Sequence, residues 1–111
     1  MAEVRAIAKY VRVPPRKARR VAALIRGQNA VAALERMQFV NTRAARHVAK
    51  VLKSAIANAE TNAKLDRSAL VVRQARVDDG ITWKGRRTRM RGAINLIRRR
   101  TSHITVVVEE A

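Results

Sequence analysis

Positive charge without compensating acid dominates the carboxyl-terminal third of the chain, and this limits what that third can fold into. No acidic residue lies between Asp79 and Glu109. The cations of this acid-free arm are Lys84, Arg86, Arg87, Arg89, Arg91, Arg98, Arg99 and Arg100. Like charges held this close repel one another and destabilise a compact state unless an anionic surface lies against them. The pattern therefore predicts an arm that is held in place by a strongly anionic partner.

The excess of positive charge extends over the whole chain. Lysine and arginine number 25 against 8 aspartates and glutamates, which gives a formal net charge of +17. A charge of magnitude about 2–8 is enough to keep a small domain soluble. The surplus therefore indicates a polyanionic partner, of which nucleic acid is the commonest. Intrinsic disorder is the alternative for so high a charge, but 48% of the residues are hydrophobic and they are patterned.

The length of 111 residues predicts a single domain with a modest core. We expect a globular part at about 1–79 and 101–111 and an extended arm at about 80–100. There is no cysteine, and no apolar run approaches the roughly 20 residues that a membrane span requires. The first residues also lack an apolar core of signal-peptide length. These features predict an intracellular protein without a membrane partner.

A strand followed by a helix is predicted at the start of the chain. Loose alternation of apolar and polar residues indicates a strand at Val4–Val13, which Pro14-Pro15 ends. A helix is predicted at Arg16–Arg26, because Pro15 can occupy the first helical turn and Gly27 suits the end. The predicted apolar stripe of this helix is Ala18, Val21, Ala22 and Ile25.

Two more helices are predicted before Leu70, where the hydrophobic period of the sequence changes. Asn29 is the expected N-cap of a short helix through Met37. Its inward-facing residues are predicted to be Val31, Leu34 and Phe39. The strongest helical pattern runs from about Arg43 to Leu65. Its apolar stripe is Ala45, Val48, Ala49, Leu52, Ala55, Ile56, Ala59 and Ala63, and its other side carries Arg43, Arg46, Lys50 and Lys53.

From Leu70 the hydrophobic period changes to two, and the segment His103–Val108 is strongly β-forming. About two dozen residues separate these strands, too many for a hairpin turn of the usual 2–5 residues. They form either a loop or a ribbon that continues both strands for about 30 Å, at about 3.3 Å per residue. Gly85 and Gly92 are predicted to bracket the tip. The expected fold class is α+β, with three helices packed on a small three-stranded antiparallel sheet, and the pattern leaves the arm as either a loop or a ribbon.

A second basic cluster lies at the start of the first predicted helix. Its members are Arg16, Lys17, Arg19 and Arg20. Cations there oppose the helix dipole, at a cost of about 0.3–1 kcal/mol each. A bound phosphate would reverse this cost through the side chains and the free N–H groups of the first turn. A solvated basic turn is the alternative interpretation.

Trp83 and the two histidines are the remaining candidates for a special role. Trp83, the only tryptophan, either stacks on a base or packs where the ribbon leaves the core, and packing is the favoured interpretation. An acid–base pair would need His47 and His103 in one pocket, and nothing in the sequence places them together. No cluster has metal-ligand spacing. We therefore expect no catalytic residue, no metal, no cofactor and no enzymatic activity.

Four segments in order along the chain carry a family resemblance. They are VRVPPRKARRVAALIRG, FVNTRAARHVAKVLKSAIANAETN, VRQARVDDG and RMRGAINLIRRRTSHITVVV. The chain resembles the bacterial-type large-subunit ribosomal protein twenty-two family over nearly its whole length. The resemblance implies an α+β globular domain near the peptide exit of the large ribosomal subunit and a long protruding β-hairpin that lines the exit tunnel. It also implies contacts with large-subunit ribosomal RNA, neighbouring ribosomal proteins and the nascent polypeptide, and a role in subunit assembly.

The resemblance further implies a cytoplasmic ribosome as the location, with an organellar ribosome left open, and no homo-oligomer. Together with the basic clusters it predicts a set of RNA-binding residues. This set is Arg16, Lys17, Arg19, Arg20, Arg43, Arg46, Lys50, Lys53, Lys84, Arg86, Arg87, Arg89, Arg91, Arg98, Arg99, Arg100, Thr101, Ser102 and His103. The tunnel tip is predicted to comprise Arg86, Arg87, Thr88, Arg89, Met90, Arg91 and Gly92.

Two departures from the family pattern are visible. The family usually begins its first helix Ser-Pro-Arg-Lys, whereas Pro14-Pro15 here removes the capping hydroxyl. The usual tip, Pro-Arg-Ala-Lys-Gly-Arg-Ala, is replaced by Thr88–Ile94.

A DNA-bending protein with paired β-arms is the alternative from sequence physics alone. Such arms place an apolar wedge or a proline at the tip, and no proline follows Pro15.

Overall fold

The chain forms three strands and three helices, which follow one another in the order β1–α1–α2–α3–β2–β3. The computed structural model describes residues 3–110, with the side chains of 87–90 and 94–97 left outside the description. The strands are β1 (Glu3–Val11), β2 (Leu70–Arg89) and β3 (Ala93–Glu110). The helices are α1 (Pro15–Ile25), α2 (Ala30–Met37) and α3 (Arg43–Thr61), and short 3₁₀ turns occur at Arg67–Ala69 and Met90–Gly92. The predicted α+β class is confirmed.

The three strands form one antiparallel sheet in the order β1-β3-β2, so the last strand lies in the centre. Val106 pairs with Ala6 on one side and with Ala75 on the other, and all three side chains are buried. Alternate residues of β3 face the helices, and Ile104 and Val108 are buried there with Val106. The β-branched run of β3 is suited to this central place, because such side chains pack well on a pleated surface.

Helix α1 packs along β2 through its predicted stripe, and all four stripe residues are buried. Pro14 is the N-cap residue and makes no side-chain cap bond, as the missing hydroxyl predicts. At the other end Gly27 adopts a positive φ of 75°, and its N–H donates to the carbonyl oxygen of Val72 at 2.8 Å. The Arg26 guanidinium donates to the Ala75 carbonyl oxygen at 2.8 Å. These bonds fix the end of α1 against β2.

Helix α2 corrects one prediction about the core. Asn29 caps it as predicted, because its side-chain oxygen accepts from the N–H groups of Val31 and Ala32. Phe39, however, is 85% exposed. The helix ends at Met37 and the chain turns there, so the 3.6-residue period that would place Phe39 inward is interrupted. The buried residues of this helix are Ala30, Ala33 and Met37, while Val31 and Leu34 are half-buried.

Helix α3 lies across the sheet. Thr42 caps it by accepting from the Ala45 N–H at 3.2 Å. The helix ends at Thr61, four residues before the predicted end at Leu65, because Lys64 adopts a positive φ of 55° and reverses the chain. Most of the predicted stripe is buried, whereas Ala49 and Ala63 are half-buried.

A long hairpin extends β2 and β3 beyond the sheet. Its register pairs Thr82–Arg89 with Ala93–Arg100, eight residues per strand or about 26 Å at 3.3 Å per residue. The radius of gyration is therefore 16.8 Å, against about 13 Å for a compact chain of this length. The turn is at Met90–Gly92, and Gly92 has a positive φ of 75°. Gly85 instead lies within β2, opposite Ile97, so the prediction that it brackets the tip is wrong.

Candidate nucleic-acid interface

The hairpin leaves the sheet at an irregularity in β2 that Thr101 holds. The register of β2 shifts between Asp79 and Thr82. Across from this bulge the Thr101 hydroxyl donates to the Ile81 carbonyl oxygen at 2.6 Å. A β-carbon on Gly80 would lie 2.5 Å from the Thr101 hydroxyl oxygen and 3.2 Å from its backbone, so no side chain fits there. Bulges bend the strand that carries them, and this close contact fixes where the bend occurs.

The next two residues of β3 bind the opposite edge of the hairpin base. The Ser102 hydroxyl donates to the Val13 carbonyl oxygen at 2.5 Å, just before α1. His103 accepts from the Tyr10 N–H through Nδ1 at 3.1 Å, and the two rings meet edge to face at 4.9 Å. Tyr10 has a positive φ of 57° and lies where the register of β1 shifts. The consecutive residues Thr101, Ser102 and His103 of β3 therefore each bond to a segment of irregular backbone: the bulge in β2, the entry to α1 and the bulge in β1, respectively.

Two members of the predicted RNA-binding set are buried at the hairpin base. Thr101 is 2% exposed and Ser102 is 0% exposed, and both hydroxyls are bonded within the protein. Burial leaves these two side chains no surface to offer to RNA. Their role is to set the hairpin base, and His103, half-buried with Nδ1 already bonded, shares it. A sequence signal existed, because small polar residues directly before a buried β-branched run often satisfy backbone groups at the edge of a core.

The starts of α1 and α3 meet beside the hairpin base. A cleft of about 630 Å³ is lined by Pro14, Lys17 and Arg20 from the beginning of α1 and by Thr42, Arg43 and Ala44 from the beginning of α3. Neither first turn contains an acidic residue. The positive ends of both helix dipoles, together with these cations, make the cleft attractive to anions.

The backbone of α1 contributes less to this attraction than predicted. Pro14 and Pro15 have no N–H, and the N–H groups of Lys17 and Ala18 already donate to the Pro14 carbonyl oxygen. Only the Arg16 N–H remains from the first turn as a free donor by position. The attraction to anions at this helix start therefore comes from side chains.

The four cations of α1 do not have equal freedom. Arg16, Lys17 and Arg20 are exposed. Arg19 is engaged, because its guanidinium donates to the Val77 carbonyl oxygen at 3.1 Å and to a carboxylate oxygen of Asp79 at 3.0 Å. Arg19 therefore joins α1 to β2 at the hairpin base, and Asp79 offsets part of its charge.

A row of cations follows one side of α3. Its members, Arg43, Arg46, Lys50 and Lys53, are all exposed, and their three- and four-residue spacing places them on one face. His47 lies beside this row and is half-buried. Burial first, and then the charges of Arg43 and Lys50, lower the pKa of His47 below its ordinary value of 6.5.

The hairpin carries cations on both faces near its base. Lys84 pairs with Arg98 and Thr82 with Arg100 on one face, while Trp83 pairs with Arg99 on the other. Like charges directly opposite in a sheet repel each other. The side chains of Arg87, Thr88, Arg89 and Met90 lie outside the described part, whereas Arg86, Arg91 and Gly92 are exposed. Trp83 is 60% exposed on the hairpin opposite Arg99, so it does not pack in the core.

Most acidic side chains lie away from the hairpin, and the exceptions are Asp78 and Asp79 in β2 at its base. Arg73 binds Glu3 at 2.7 Å and Glu109 at 2.9 Å at the end of the sheet remote from the hairpin. Further ion pairs join Arg76 to Asp78 and Arg67 to Glu60. The molecule therefore has a strongly cationic end, comprising the hairpin and the starts of α1 and α3, and a nearly neutralised opposite end.

The histidines do not form a catalytic pair, since His47 lies on α3 and His103 on β3 with separate contacts. Within residues 3–110, no group of three or more His, Cys, Asp and Glu side chains is placed to hold a metal ion. In the same part of the chain, no helix is both long and apolar enough to cross a membrane.

Known proteins are similar to this chain over nearly its whole length. A family model described as ribosomal protein L22p/L17e matches residues 6–109. Large ribosomal subunit protein uL22 of Desulfitobacterium hafniense (strain Y51) is 51% identical over 110 residues, covering 99% of this chain and 96% of that protein. The uL22 protein of Thermoanaerobacter sp. (strain X514) is 52% identical over 108 residues, covering 97% of each. That of Carboxydothermus hydrogenoformans is 48% identical over 108 residues, covering 97% and 96%.

Fold and surface define a small α+β protein with a long, strongly basic β-hairpin. The chain belongs to the L22p/L17e family of ribosomal proteins. It is a structural constituent of the large ribosomal subunit and not an enzyme. The family resemblance in the sequence is confirmed, and the DNA-bending alternative is set aside.

Proposed function

We propose that the cationic end of the molecule binds large-subunit ribosomal RNA and that the hairpin lines the nascent-peptide exit tunnel. The observation that supports this proposal most strongly is that the starts of α1 and α3 and the base of the hairpin together form one cationic surface. The described side chains that form it are Arg16, Lys17, Arg20, Arg43, Arg46, Lys50, Lys53, Lys84, Arg86, Arg98, Arg99 and Arg100. Arginine suits this role because its planar guanidinium binds phosphate with two donors at once.

The energetics of the hairpin support RNA as its anchor. A two-stranded ribbon alone is marginal in water, and this one places Lys84 directly opposite Arg98. Ordering each residue costs about 1–2 kcal/mol in backbone entropy. Phosphates on both faces would remove the repulsion and offset that cost. The cations that weaken the free hairpin would then stabilise the bound one.

The remaining parts of the proposal concern the tip and its neighbours. The tip, Arg86–Gly92, would reach the tunnel wall and meet the nascent polypeptide. The globular part would contact RNA and neighbouring large-subunit proteins and aid subunit assembly. From the sequence we also propose RNA contacts for Arg87, Arg89 and Arg91. Arg19 is proposed as a weaker RNA contact, because its ion pair with Asp79 offsets part of its charge.

The test measures how salt weakens binding of the purified protein to protein-free large-subunit ribosomal RNA. Each phosphate contact changes the slope of log affinity against log salt by about 0.7–0.9. We expect Arg16→Ala, Lys17→Ala and Arg20→Ala together to reduce the slope by about 2–3. The matched control, Arg36→Ala with Arg67→Ala and Arg76→Ala, removes the same charge from outside the cationic surface and should reduce it by less than half as much. Equal reductions would show that only net charge matters and would contradict the proposed surface.

A further inference from the structure

We infer that Trp83 and the arginines around it form a binding site for one unstacked RNA base. The inference rests on the proposed function and refines it, because it assigns base recognition to one face of the hairpin. The other proposed RNA contacts act on phosphates.

The site is a cleft between the hairpin base and the starts of α1 and α3. Its volume is about 630 Å³, within the range of about 300–1,000 Å³ usual for ligand sites. Of the described residues that line it, none is acidic. The aromatic and charged members are Trp83, Arg12, Arg43, Arg98, Arg99 and Arg100.

The exposure of Trp83 indicates that something covers it in the working state. Tryptophan is highly buried on average in folded proteins, yet this one is 60% exposed on a two-stranded ribbon. Its cross-strand neighbour is Arg99, which leaves more than half of the indole open. An aromatic plane at this position offers a stacking surface to any flat ring.

The charges around the indole identify the class of ring. Arg12 and Arg43 approach from the globular part, while Arg99 lies directly across from Trp83 on the same face of the hairpin. A nucleotide matches this arrangement, since its base is flat and its flanking phosphates lie to either side. Single-stranded RNA is commonly recognised in this way, by stacking on aromatic side chains with arginine nearby.

The opposite face of the hairpin base provides an internal comparison. It has a cleft of about 430 Å³ lined by Lys84, Arg98 and Arg100, but also by Asp79. No aromatic side chain is among its lining residues. That face suits phosphates alone, so the assignment of a base concerns the Trp83 face.

Because Trp83 is the only tryptophan, its fluorescence reports on this site directly. The probes are an eight-nucleotide oligoadenylate, an abasic oligomer with the same phosphates, and an octaglutamate peptide. With the full-length protein at low salt, we expect oligoadenylate to quench Trp83 fluorescence strongly and the other two to quench it weakly. Equal quenching by the abasic oligomer would overturn base stacking. Equal quenching by octaglutamate would point to an acidic protein partner and also overturn it.

Affinity for end-labelled probes, measured by fluorescence anisotropy, gives a second readout. Trp83→Leu should weaken oligoadenylate binding by about 5- to 160-fold, the range for loss of one base–aromatic stack. It should change abasic binding by less than about twofold, because the phosphate contacts remain. Trp83→Phe should keep part of the preference, and it serves as the test variant if circular dichroism shows that the leucine variant is misfolded.

The outcomes separate this inference from the proposed function. If Trp83→Leu weakens both oligomers equally, or if the phenylalanine variant has no preference for bases, the stacking site is refuted while RNA binding stands. If the abasic oligomer fails to bind the wild-type protein at low salt, the cationic surface itself is refuted. Arg12→Ala with Arg43→Ala should weaken both oligomers, since these side chains would hold the flanking phosphates.

Discussion

The hydroxyl of Ser102 donates to the carbonyl oxygen of Val13 across 89 residues of sequence. Ser102 belongs to the strand that returns from the hairpin, and Val13 to the segment that enters α1. This buried bond therefore couples the direction of the hairpin to the position of the basic helix start. Both parts of the proposed RNA surface are held to one fixed geometry by it.

Ser102→Ala should lower the free energy of unfolding by about 1–3 kcal/mol, because the buried Val13 carbonyl oxygen loses its partner. Urea denaturation followed by circular dichroism measures this. Ser54→Ala, at an exposed position of α3, is the control and should change stability by less than about 0.5 kcal/mol. Similar losses in both variants would mean that the Ser102 bond contributes nothing particular.

Gly80 and Thr101 should be energetically coupled. Gly80→Ala places a methyl group against the Thr101 hydroxyl oxygen and should destabilise the protein by about 1–3 kcal/mol. Thr101→Ala removes the nearest atom, so the double variant should be more stable than the sum of the single losses predicts. A double-mutant cycle measures the coupling, expected at about 0.5–2 kcal/mol. Strict additivity would indicate that the backbone of the bulge shifts instead.

Phe39 and Met37 should differ sharply in their effect on stability. Met37 is buried in the core and Phe39 is exposed. Met37→Ala should cost about 2–5 kcal/mol, whereas Phe39→Ala should cost less than about 0.5 kcal/mol. Both are compared by urea denaturation. A large loss for Phe39→Ala would mean that this ring packs inward in solution.

Protonation of His47 should destabilise the folded protein. Its pKa is lowered in the folded state, so the unfolded chain binds the proton more readily. The contribution of neutral His47 to the free energy of unfolding is therefore fully present above about pH 6.5. It decreases as the pH falls below that value and stops changing once the pH is below the folded-state pKa. His47→Gln should remove this part of the pH dependence in denaturation experiments from pH 5 to 7.5.

A second measurement tests the cause of that lowered pKa. Arg43→Ala removes one of the repelling charges, so the pKa of His47, followed by NMR titration, should rise toward 6.5. Lys64→Gln, just beyond the far end of α3, is the control and should leave it unchanged. An unchanged pKa in Arg43→Ala would show that Arg43 does not contribute and would leave burial and Lys50 as the causes.

The hairpin should be removable without loss of the globular fold. Replacing residues 85–97 by Asn-Gly keeps the Lys84–Arg98 pair and closes it with a favoured two-residue turn. We expect cooperative thermal unfolding within a few degrees of the wild-type midpoint and incorporation into large subunits on sucrose gradients. The altered tunnel wall should change the passage of particular nascent chains. Loss of cooperative unfolding would show that the hairpin supports the core.

Hydrogen exchange distinguishes an RNA-ordered hairpin from a self-supporting one. The backbone amides of Arg86–Gly92 should exchange quickly in the free protein and slowly in the ribosome. Strong protection in both states would refute RNA as the anchor. The amides of Val106 and Val108, in the central strand, are the internal reference and should be protected in both.

Local patterns in the sequence determined most of the elements. The stripe of α1, the cap Asn29 and the change of period at Leu70 each depend on neighbours within a few residues. The charge pattern likewise predicted a basic arm between two β-forming segments, and it left a loop or a ribbon as the form of that arm. These features follow from short-range geometry, which a single sequence displays.

Only the tertiary structure decided where the side chains of irregular segments point. Phe39 leaves the core because the chain turns after Met37. Thr101 and Ser102 are buried because their hydroxyls donate to the carbonyl oxygens of Ile81 and Val13. Those partners lie 20 and 89 residues away in sequence. Periodicity reports which face of an element is apolar, but it carries no information about which distant backbone group needs a hydrogen bond. The meeting of two helix starts at the hairpin base is decided in the same way, by packing across the whole sheet.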